Sequence, residues 1–226
     1  MDREDKQKFV AGVFSNVADS YDVMNDAMSL GVHRVWKNLF VDNIGPLRRR
    51  KILDENLEII DEVPLKCLDV AGGTGDISFR ILEKARRDDP SAGKPSVDII
   101  VSDINPDMLE VGKKRAVERG IFHDLQFRVI NAEDLSSIES DSLDLYTIAF
   151  GIRNVTDRPK ALREAHRVLR KGGRFMCLEF SEVVVPGFKQ FYDAYSFNVI
   201  PEMGHLVAND RDSYQYLVES IKMFPK

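Results

Sequence analysis

Pro64-Leu65-Lys66-Cys67-Leu68-Asp69-Val70-Ala71-Gly72-Gly73-Thr74-Gly75-Asp76 is the stretch on which the fold turns. Leu65 to Val70 is a short apolar run carrying an acid near its end. A glycine cluster follows, and then Ile77, Phe79, Ile81 and Leu82 return at helical spacing. That order predicts strand, tight turn and helix. Glycine lets a turn take positive φ and lets backbone approach a ligand closely. The helix beyond it aims the positive end of its dipole at whatever occupies the turn.

The spacing separates two nucleotide classes. A dinucleotide fingerprint places a third glycine three residues after the second; counted from Gly73 and Gly75, that position is Ser78. Instead, Asp69 precedes the loop and Asp76 follows it. Acids beside a pyrophosphate repel it, whereas acids beside a sulfonium or an α-amino group attract it. Asp69, Gly73 and Gly75 therefore suit S-adenosylmethionine better than a dinucleotide. The plainer alternative is a tight turn with surface acids.

The chain has 226 residues, enough for one domain, or one domain with an elaborated arm. A net charge of −5 and a pI near 5.5 argue against a nucleic-acid partner. Cys67 and Cys177 both sit in apolar strand-like runs and read as buried, reduced thiols. No disulfide framework and no metal-type Cys/His spacing occurs, so no metal is expected. No apolar run approaches the ~18 residues of a membrane span. The charged Met1-Asp-Arg-Glu-Asp-Lys6 is neither a signal nor a transit peptide, so an organelle import would already have lost its leader.

Taken in order, Phe9, Val10, Val13, Phe14 and Val17 predict an amphipathic helix within residues 1–20. From Tyr21 large apolar and polar groups mix without period until Val32, Val35, Trp36, Leu39 and Phe40 restore one. Such an arm could fold over a ligand; the alternative is a packing helix with His33 and Trp36 on one face. Residues 45–63 read as a connector with a short helix. Its basic quartet Arg48-Arg49-Arg50-Lys51 reads as a solvated face or, more sharply, as a contact for anionic lipid. A second strand, Val97 to Val101, runs into Ser102-Asp103-Ile104-Asn105-Pro106-Asp107-Met108. An acid at the end of strand two is where nucleotide-binding sheets hold a ribose hydroxyl pair. Asn105 caps the next helix and Pro106 opens it.

Leu125 to Ile130 is the third strand, and Asn131-Ala132-Glu133-Asp134 follows near where an adenine would sit. Leu143 to Phe150 is the fourth, leading into Gly151-Ile152-Arg153-Asn154. A helix from Asp157 to Arg170 buries Ala161, Leu162, Ala165, Val168 and Leu169, and Lys171-Gly172-Gly173 stops it before strand five, Arg174 to Phe180. The alternation predicts an α/β protein with a doubly wound, mainly parallel, Rossmann-like sheet. Its ligands should bind outside the carboxyl ends of the strands. Residues 1–62 would form an N-terminal helical arm and connector, 63–185 the α/β domain, and 186–226 a helical lid and terminal helix.

Two segments resemble signatures of the ubiquinone/menaquinone biosynthesis C-methyltransferase (UbiE) family. One is Tyr21-Asp-Val-Met-Asn-Asp-Ala-Met-Ser-Leu-Gly-Val-His-Arg-Val-Trp36; the other is Arg167-Val-Leu-Arg-Lys-Gly-Gly-Arg-Phe-Met-Cys-Leu-Glu-Phe-Ser181. The glycine loop, the stretch Phe150 to Asp157 and the segment Tyr192 to Pro201 resemble the same family, and the wording is closer to its mitochondrial coenzyme Q members. Lys171 stands where the second signature has proline, and residues 46–62 look like an insertion. The family continues some tens of residues further with an antiparallel hairpin. The resemblance therefore implies a fragment whose fifth strand is an unpaired edge.

The resemblance implies methyl transfer from S-adenosylmethionine to a ring carbon of a polyprenylated benzoquinol, within the class I S-adenosylmethionine methyltransferase fold. By motif match Thr74, Asp103, Asn131 and Ala132 would contact the cofactor, with Met108 beside them. Expected surroundings are the mitochondrial matrix with a peripheral place on the inner membrane, or the cytoplasmic face of the inner membrane in a bacterium, and other coenzyme Q biosynthesis proteins, with a homodimer as a further option.

The chemistry demands little covalent work from the protein. A sulfonium is an activated methyl source, so the chain must align donor and acceptor and exclude water. The acceptor carbon becomes nucleophilic when a neighbouring quinol hydroxyl loses its proton. Arg153, past strand four, suits a phenolate stabiliser or water positioner better than a base. Tyr192, Asp193 and His205 are the candidate bases. The apolar stretch 186–208, with Phe188, Phe191, Tyr195, Phe197 and Ile200, reads as a packing helix or as a lid and tunnel for an isoprenoid tail. Two rivals remain: a cofactor-binding scaffold of a biosynthetic complex without turnover, and a methyltransferase for another small aromatic.

Overall fold

A computed structural model describes residues 31–90, 93–180 and 211–224, together with positions 12, 25, 26, 29, 195, 197, 199, 201 and 202. The chain divides into two compact units, Met1–Trp36 with Glu179–Lys226, and Lys37–Leu178. The second unit thus takes in residues 37–62, which were expected to belong with the arm.

The second unit is built on five parallel strands. They are β3 (Leu65–Val70), β4 (Val97–Asp103), β5 (Leu125–Val129), β6 (Leu143–Ala149) and β7 (Leu169–Leu178), in the order β5-β4-β3-β6-β7. From β3 the chain builds outward through β4 to β5, then returns to place β6 on the other side of β3. The order therefore reverses between β3 and β6, and the crevice at such a reversal is where open α/β sheets bind ligands. The central strands bear this position in their composition: every residue of β6 up to Ile148 is buried, as are Cys67 to Val70 of β3.

Helix α1 (Val32–Asp42) precedes the sheet in the chain, and α2 (Asp76–Asp88), α3 (Pro106–Glu118) and α4 (Arg158–Val168) pack on its strands. Phe40, Val41, Ile44, Ile77, Phe79, Ile81, Leu82 and Ala116 join Cys67, Ile99 and Val101 in one apolar core. Asn105 caps α3 by accepting from the amides of Asp107 (2.9 Å) and Met108 (3.4 Å), with Pro106 in the first turn, as its sequence predicts. Asp157 caps α4 through the Lys160 amide, 3.0 Å.

Three expectations need correction. The connector does not contain a helix. Residues 50–63 form an antiparallel hairpin, β1 (Arg50–Leu53) with β2 (Ile59–Val63), closed by Asp54, whose Oδ1 accepts from the amides of Asn56 and Glu58 at 2.9 Å. Ile52, Leu53, Ile59, Ile60 and Val63 carry β-forming side chains, and the Asx turn outweighs the helical tendency of the acids between them. The basic quartet is only partly solvated: Arg50 lies 3.7 Å from the buried Asp144, and Arg49 donates to the Pro95 carbonyl at 3.4 Å.

The second correction is the end of α4. The helix stops at Val168, and β7 already begins at Leu169, which faces Leu143 while Arg174 faces Leu145. The residues between loop out around Gly172, at φ 80°, so the glycines form a bulge in a strand rather than a helix cap. The third is Cys177, which is exposed on β7 while Cys67 is buried. β7 is a sheet edge, so its alternate side chains leave the core. Among the described residues β7 pairs with β6 alone.

In the other unit, His33 is buried and its Nδ1 lies 2.7 Å from Ser29 Oγ, while Trp36 meets Phe180 edge to face at 6.0 Å. Helix α5 (Arg211–Lys222) buries Tyr214 and Val218. The helix expected within residues 1–20 and most of the 186–208 stretch lie outside the described residues, as do Tyr192, Asp193 and His205. No helix among the described residues is long and apolar enough to cross a membrane.

Candidate functional site

The chain leaves β3 through a run of left-handed backbone. Ala71 (φ 52°), Gly73 (φ 49°) and Gly75 (φ 84°) all adopt it, and Ala71 does so without a glycine's freedom. The turn is tied to β4: the Gly72 amide donates to the Ser102 carbonyl at 2.8 Å, and the Gly73 amide to Asp103 Oδ2 at 2.9 Å. A methyl group on Gly73 would sit 3.0 Å from Met108 Cε and 3.7 Å from Asp103 Oδ2. The space beside this glycine is thus bounded by a soft apolar side chain and a carboxylate. Helix α3 approaches from behind through Gly112, where a methyl would lie 3.1 Å from the Gly73 carbonyl oxygen.

The three acids play different parts. Asp69 is 1% exposed, and its carboxylate accepts from Ser78 Oγ of α2 and Thr147 Oγ1 of β6, each at 2.7 Å. It ties turn, helix and neighbouring strand together from inside rather than offering a charge to a ligand. Burial pushes its carboxyl up to about 6 despite those hydrogen bonds. Asp76 opens α2 and is paired with the buried Lys37 at 2.8 Å and with Arg80 at 3.1 Å. Burial raises its carboxyl, but Lys37 and then Arg80 outweigh this and hold it below the usual carboxylate range. The picture of two loop acids attracting a cation is therefore corrected: both are spent on internal partners. Asp103 is the half-buried acid at the strand end, with Oδ1 accepting from the Asn105 amide at 2.9 Å; burial pushes it up to about 6.

The remaining edge comes from the turns after β5 and β6. Asn131 Oδ1 accepts from the Glu133 amide at 2.9 Å, and Ala132 is buried. Phe150, at φ 56°, ends β6 in left-handed backbone, opposite the equally strained Ala71 across the sheet's reversal point. Gly151 passes so close to Ala71 that a methyl there would overlap the Ala71 Cβ. A short 3₁₀ turn, Ile152–Asn154, then carries Arg153, which is buried and donates to the Phe150 carbonyl.

A profile of the ubiE/COQ5 methyltransferase family matches residues 1–226. The chain belongs to the ubiE/COQ5 methyltransferase family. It is an S-adenosylmethionine-dependent C-methyltransferase. It is 53% identical over 231 residues to a protein of Oryza sativa subsp. japonica called 2-methoxy-6-polyprenyl-1,4-benzoquinol methylase, mitochondrial, covering 98% of this chain and 73% of that one. It is 51% identical to the ubiquinone/menaquinone biosynthesis C-methyltransferase UbiE of Rhodopseudomonas palustris (strain TIE-1), covering 99% of this chain and 80% of that one. Among solved structures, a putative S-adenosyl-L-methionine-dependent methyltransferase of Methanococcus maripaludis matches with a TM-score of 0.56 at 14% identity, over 93% of this chain and 85% of that one. That likeness bears on the fold alone.

The residues around the turn are of a kind compatible with S-adenosylmethionine. The cradle at Gly73 is one that a single methyl would fill, its rim is Asp103 and Met108, and the rim acid is an acceptor of the kind that a vicinal diol needs. Gly73, Gly75, Thr74, Asp103 and Met108 converge on this one turn. Asn131 and Ala132 stand on β5's turn, at the same carboxyl edge, and Arg153 on β6's. Sequence reasoning missed Ser78, Thr147, Lys37 and Gly112, which hold the turn in place. Gly112 left a signal, a glycine inside a helix. Thr147 left none, because its link to Asp69 spans 78 residues.

Proposed function

We propose that the chain transfers the methyl group of S-adenosylmethionine to a ring carbon of a 2-methoxy-6-polyprenyl-1,4-benzoquinol during ubiquinone synthesis, in the mitochondrial matrix against the inner membrane. The observation that carries this is 53% identity, across 98% of the chain, to the rice protein of that name. S-adenosylmethionine, when bound, supplies a methyl already activated by its sulfonium. Asp103 accepts from the donor's ribose hydroxyls, the Gly73 to Gly75 backbone lets the donor lie against the turn, and Asn131 with Ala132 borders its adenine. Arg153 stabilises the phenolate that makes the acceptor carbon nucleophilic. Its guanidinium is a fixed cation, and its bond to the Phe150 carbonyl points it from a rigid turn. Tyr192, Asp193 and His205 are candidates for the proton acceptor. The polyprenyl tail calls for a membrane surface, and other coenzyme Q biosynthesis proteins or a second copy would share it.

Methyl transfer from labelled S-adenosylmethionine to a series of 2-methoxy-6-prenyl-1,4-benzoquinols of rising tail length tests this. Turnover should rise with tail length, and Arg153→Ala should lower kcat by about 10²-fold with donor affinity little changed. Indifference to the tail would point to another small aromatic. Donor binding without any transfer would favour a scaffold.

A further inference from the structure

We propose that Glu133 is a positioning residue that couples the donor side of the site to the acceptor side. This rests on the functional reading above, in which Asn131 and Ala132 border the donor and Arg153 serves the acceptor. One carboxylate oxygen, Glu133 Oε1, accepts from two consecutive backbone amides, Thr156 at 3.0 Å and Asp157 at 2.9 Å. Its own amide donates to Asn131 Oδ1 at 2.9 Å, and the Asp134 amide donates to the Asn131 carbonyl, also at 2.9 Å. Glu133 is thus locked to Asn131 at one end and to the turn after β6 at the other.

That second turn is hydrogen-bonded within itself from Phe150 to Val155, directly before Thr156 and Asp157. The Asn154 amide donates to the Gly151 carbonyl at 3.0 Å and the Val155 amide to Ile152 at 3.2 Å, while Arg153 holds the Phe150 carbonyl. Asp157 then caps α4. A displacement of Thr156 and Asp157 therefore carries Arg153 with it. The rest of the post-β5 turn is fastened elsewhere: the Leu135 amide donates to Glu164 Oε2 at 2.8 Å, and Arg167 donates to the carbonyls of Leu135 and Ile138 at 2.8 and 3.1 Å. Removing Glu133 leaves those fastenings and cuts the strap between Asn131 and Arg153's turn. A charge-assisted acceptor serving two amides is a strong strap, and donor binding that orders Asn131 and Ala132 passes through it to Arg153.

The consequence is reciprocal: donor and acceptor raise each other's affinity by one common factor. S-adenosylhomocysteine and a 2-methoxy-1,4-benzoquinone with one prenyl unit serve as probes, each titrated into the 226-residue chain by calorimetry with and without saturating amounts of the other. Wild type should bind the quinone roughly fivefold or more tightly with S-adenosylhomocysteine present, within the usual range of coupling. Glu133→Ala should bring that ratio near one. Glu133→Gln, whose amide oxygen can still accept from both amides, should keep most of it. Should Glu133→Ala fail to fold, Glu133→Asp, one methylene too short to reach both amides, should lose the ratio in its place. A ratio retained in Glu133→Ala or Glu133→Asp, whatever happens to Tm, overturns the coupling alone, as does a wild-type ratio of one. A wild-type chain that binds neither probe brings down the functional reading and the coupling with it.

Discussion

The crevice between β3 and β6 and the hairpin β1–β2 belong to one compact unit and are built in opposite ways. At the crevice the backbone is strained at Ala71 and Phe150, and Asp69 is buried with a hydroxyl on each carboxylate oxygen. In the hairpin every strand residue except Arg50 and Val63 is exposed, including Ile52, Leu53, Ile59 and Ile60. One region spends tertiary contacts on holding a shape that local preference resists; the other follows local preference and, among the described residues, leaves most of its strand side chains exposed. Substitutions should therefore be costly in the first and nearly silent in the second.

The largest contrast should appear in ligand binding. Asp103→Ala removes both the proposed ribose acceptor and the carboxylate that holds the Gly73 amide. S-adenosylhomocysteine affinity, read by calorimetry, should fall about a hundredfold, roughly 3 kcal/mol. Ile60→Ser in the hairpin should leave it unchanged; an equal loss in both variants would erase the distinction. Next in size, Gly151→Ala must push aside the Ala71 Cβ, and urea unfolding should show a loss of about 2 kcal/mol. Ile59→Thr in the hairpin should stay within ~0.5 kcal/mol.

The acids give a smaller and more discriminating test. Asp69 has its carboxyl raised from 3.8 to about 6. Between those values the folded chain keeps a proton that the unfolded chain has released, so Asp69's contribution to stability falls as pH rises through that window. Asp76 has its carboxyl lowered, so its contribution is present above the ordinary value and is lost as pH drops. Wild type should therefore lose stability relative to Asp69→Asn as pH rises from about 4 to about 6, at up to ~1 kcal/mol per pH unit. Relative to Asp76→Asn it should gain over the lower part of the scale. Parallel curves for the two variants would mean that both acids see one environment. The smallest effect is a gain: Leu57, at the hairpin tip, is exposed with φ 65°, and Leu57→Gly should raise stability by about 0.5–1 kcal/mol in the same unfolding assay.

Much of the sheet was legible in advance because its central strands are short apolar runs separated by turn residues, and such runs need no partner to be recognised. β3 occupies the predicted Leu65 to Val70, and the Asn105-Pro106 cap stands where its residue types placed it. The hairpin is not legible in the sequence because its alternation is weak and its acids look helical until Asp54 is seen closing the turn. The bulge in β7 is not legible in the sequence because Lys171-Gly172-Gly173 serves equally well to stop a helix or to kink a strand; only Leu143 and Leu145 on the neighbouring strand decide between them.

The sequence by itself determined the order of the five parallel strands and the helices between them, the glycine turn at the first crossover and the family, since each rests on neighbours within a few residues of chain. Only the tertiary structure decided which acid faces the turn's outer side. Asp69 and Asp76 were expected to present charge, yet Thr147, Ser78, Lys37 and Arg80 claim their carboxylates, and Asp103 is left at the rim. The physical reason is that a carboxylate's role depends on which donors the fold brings within hydrogen-bond reach, and Thr147 arrives from 78 residues away.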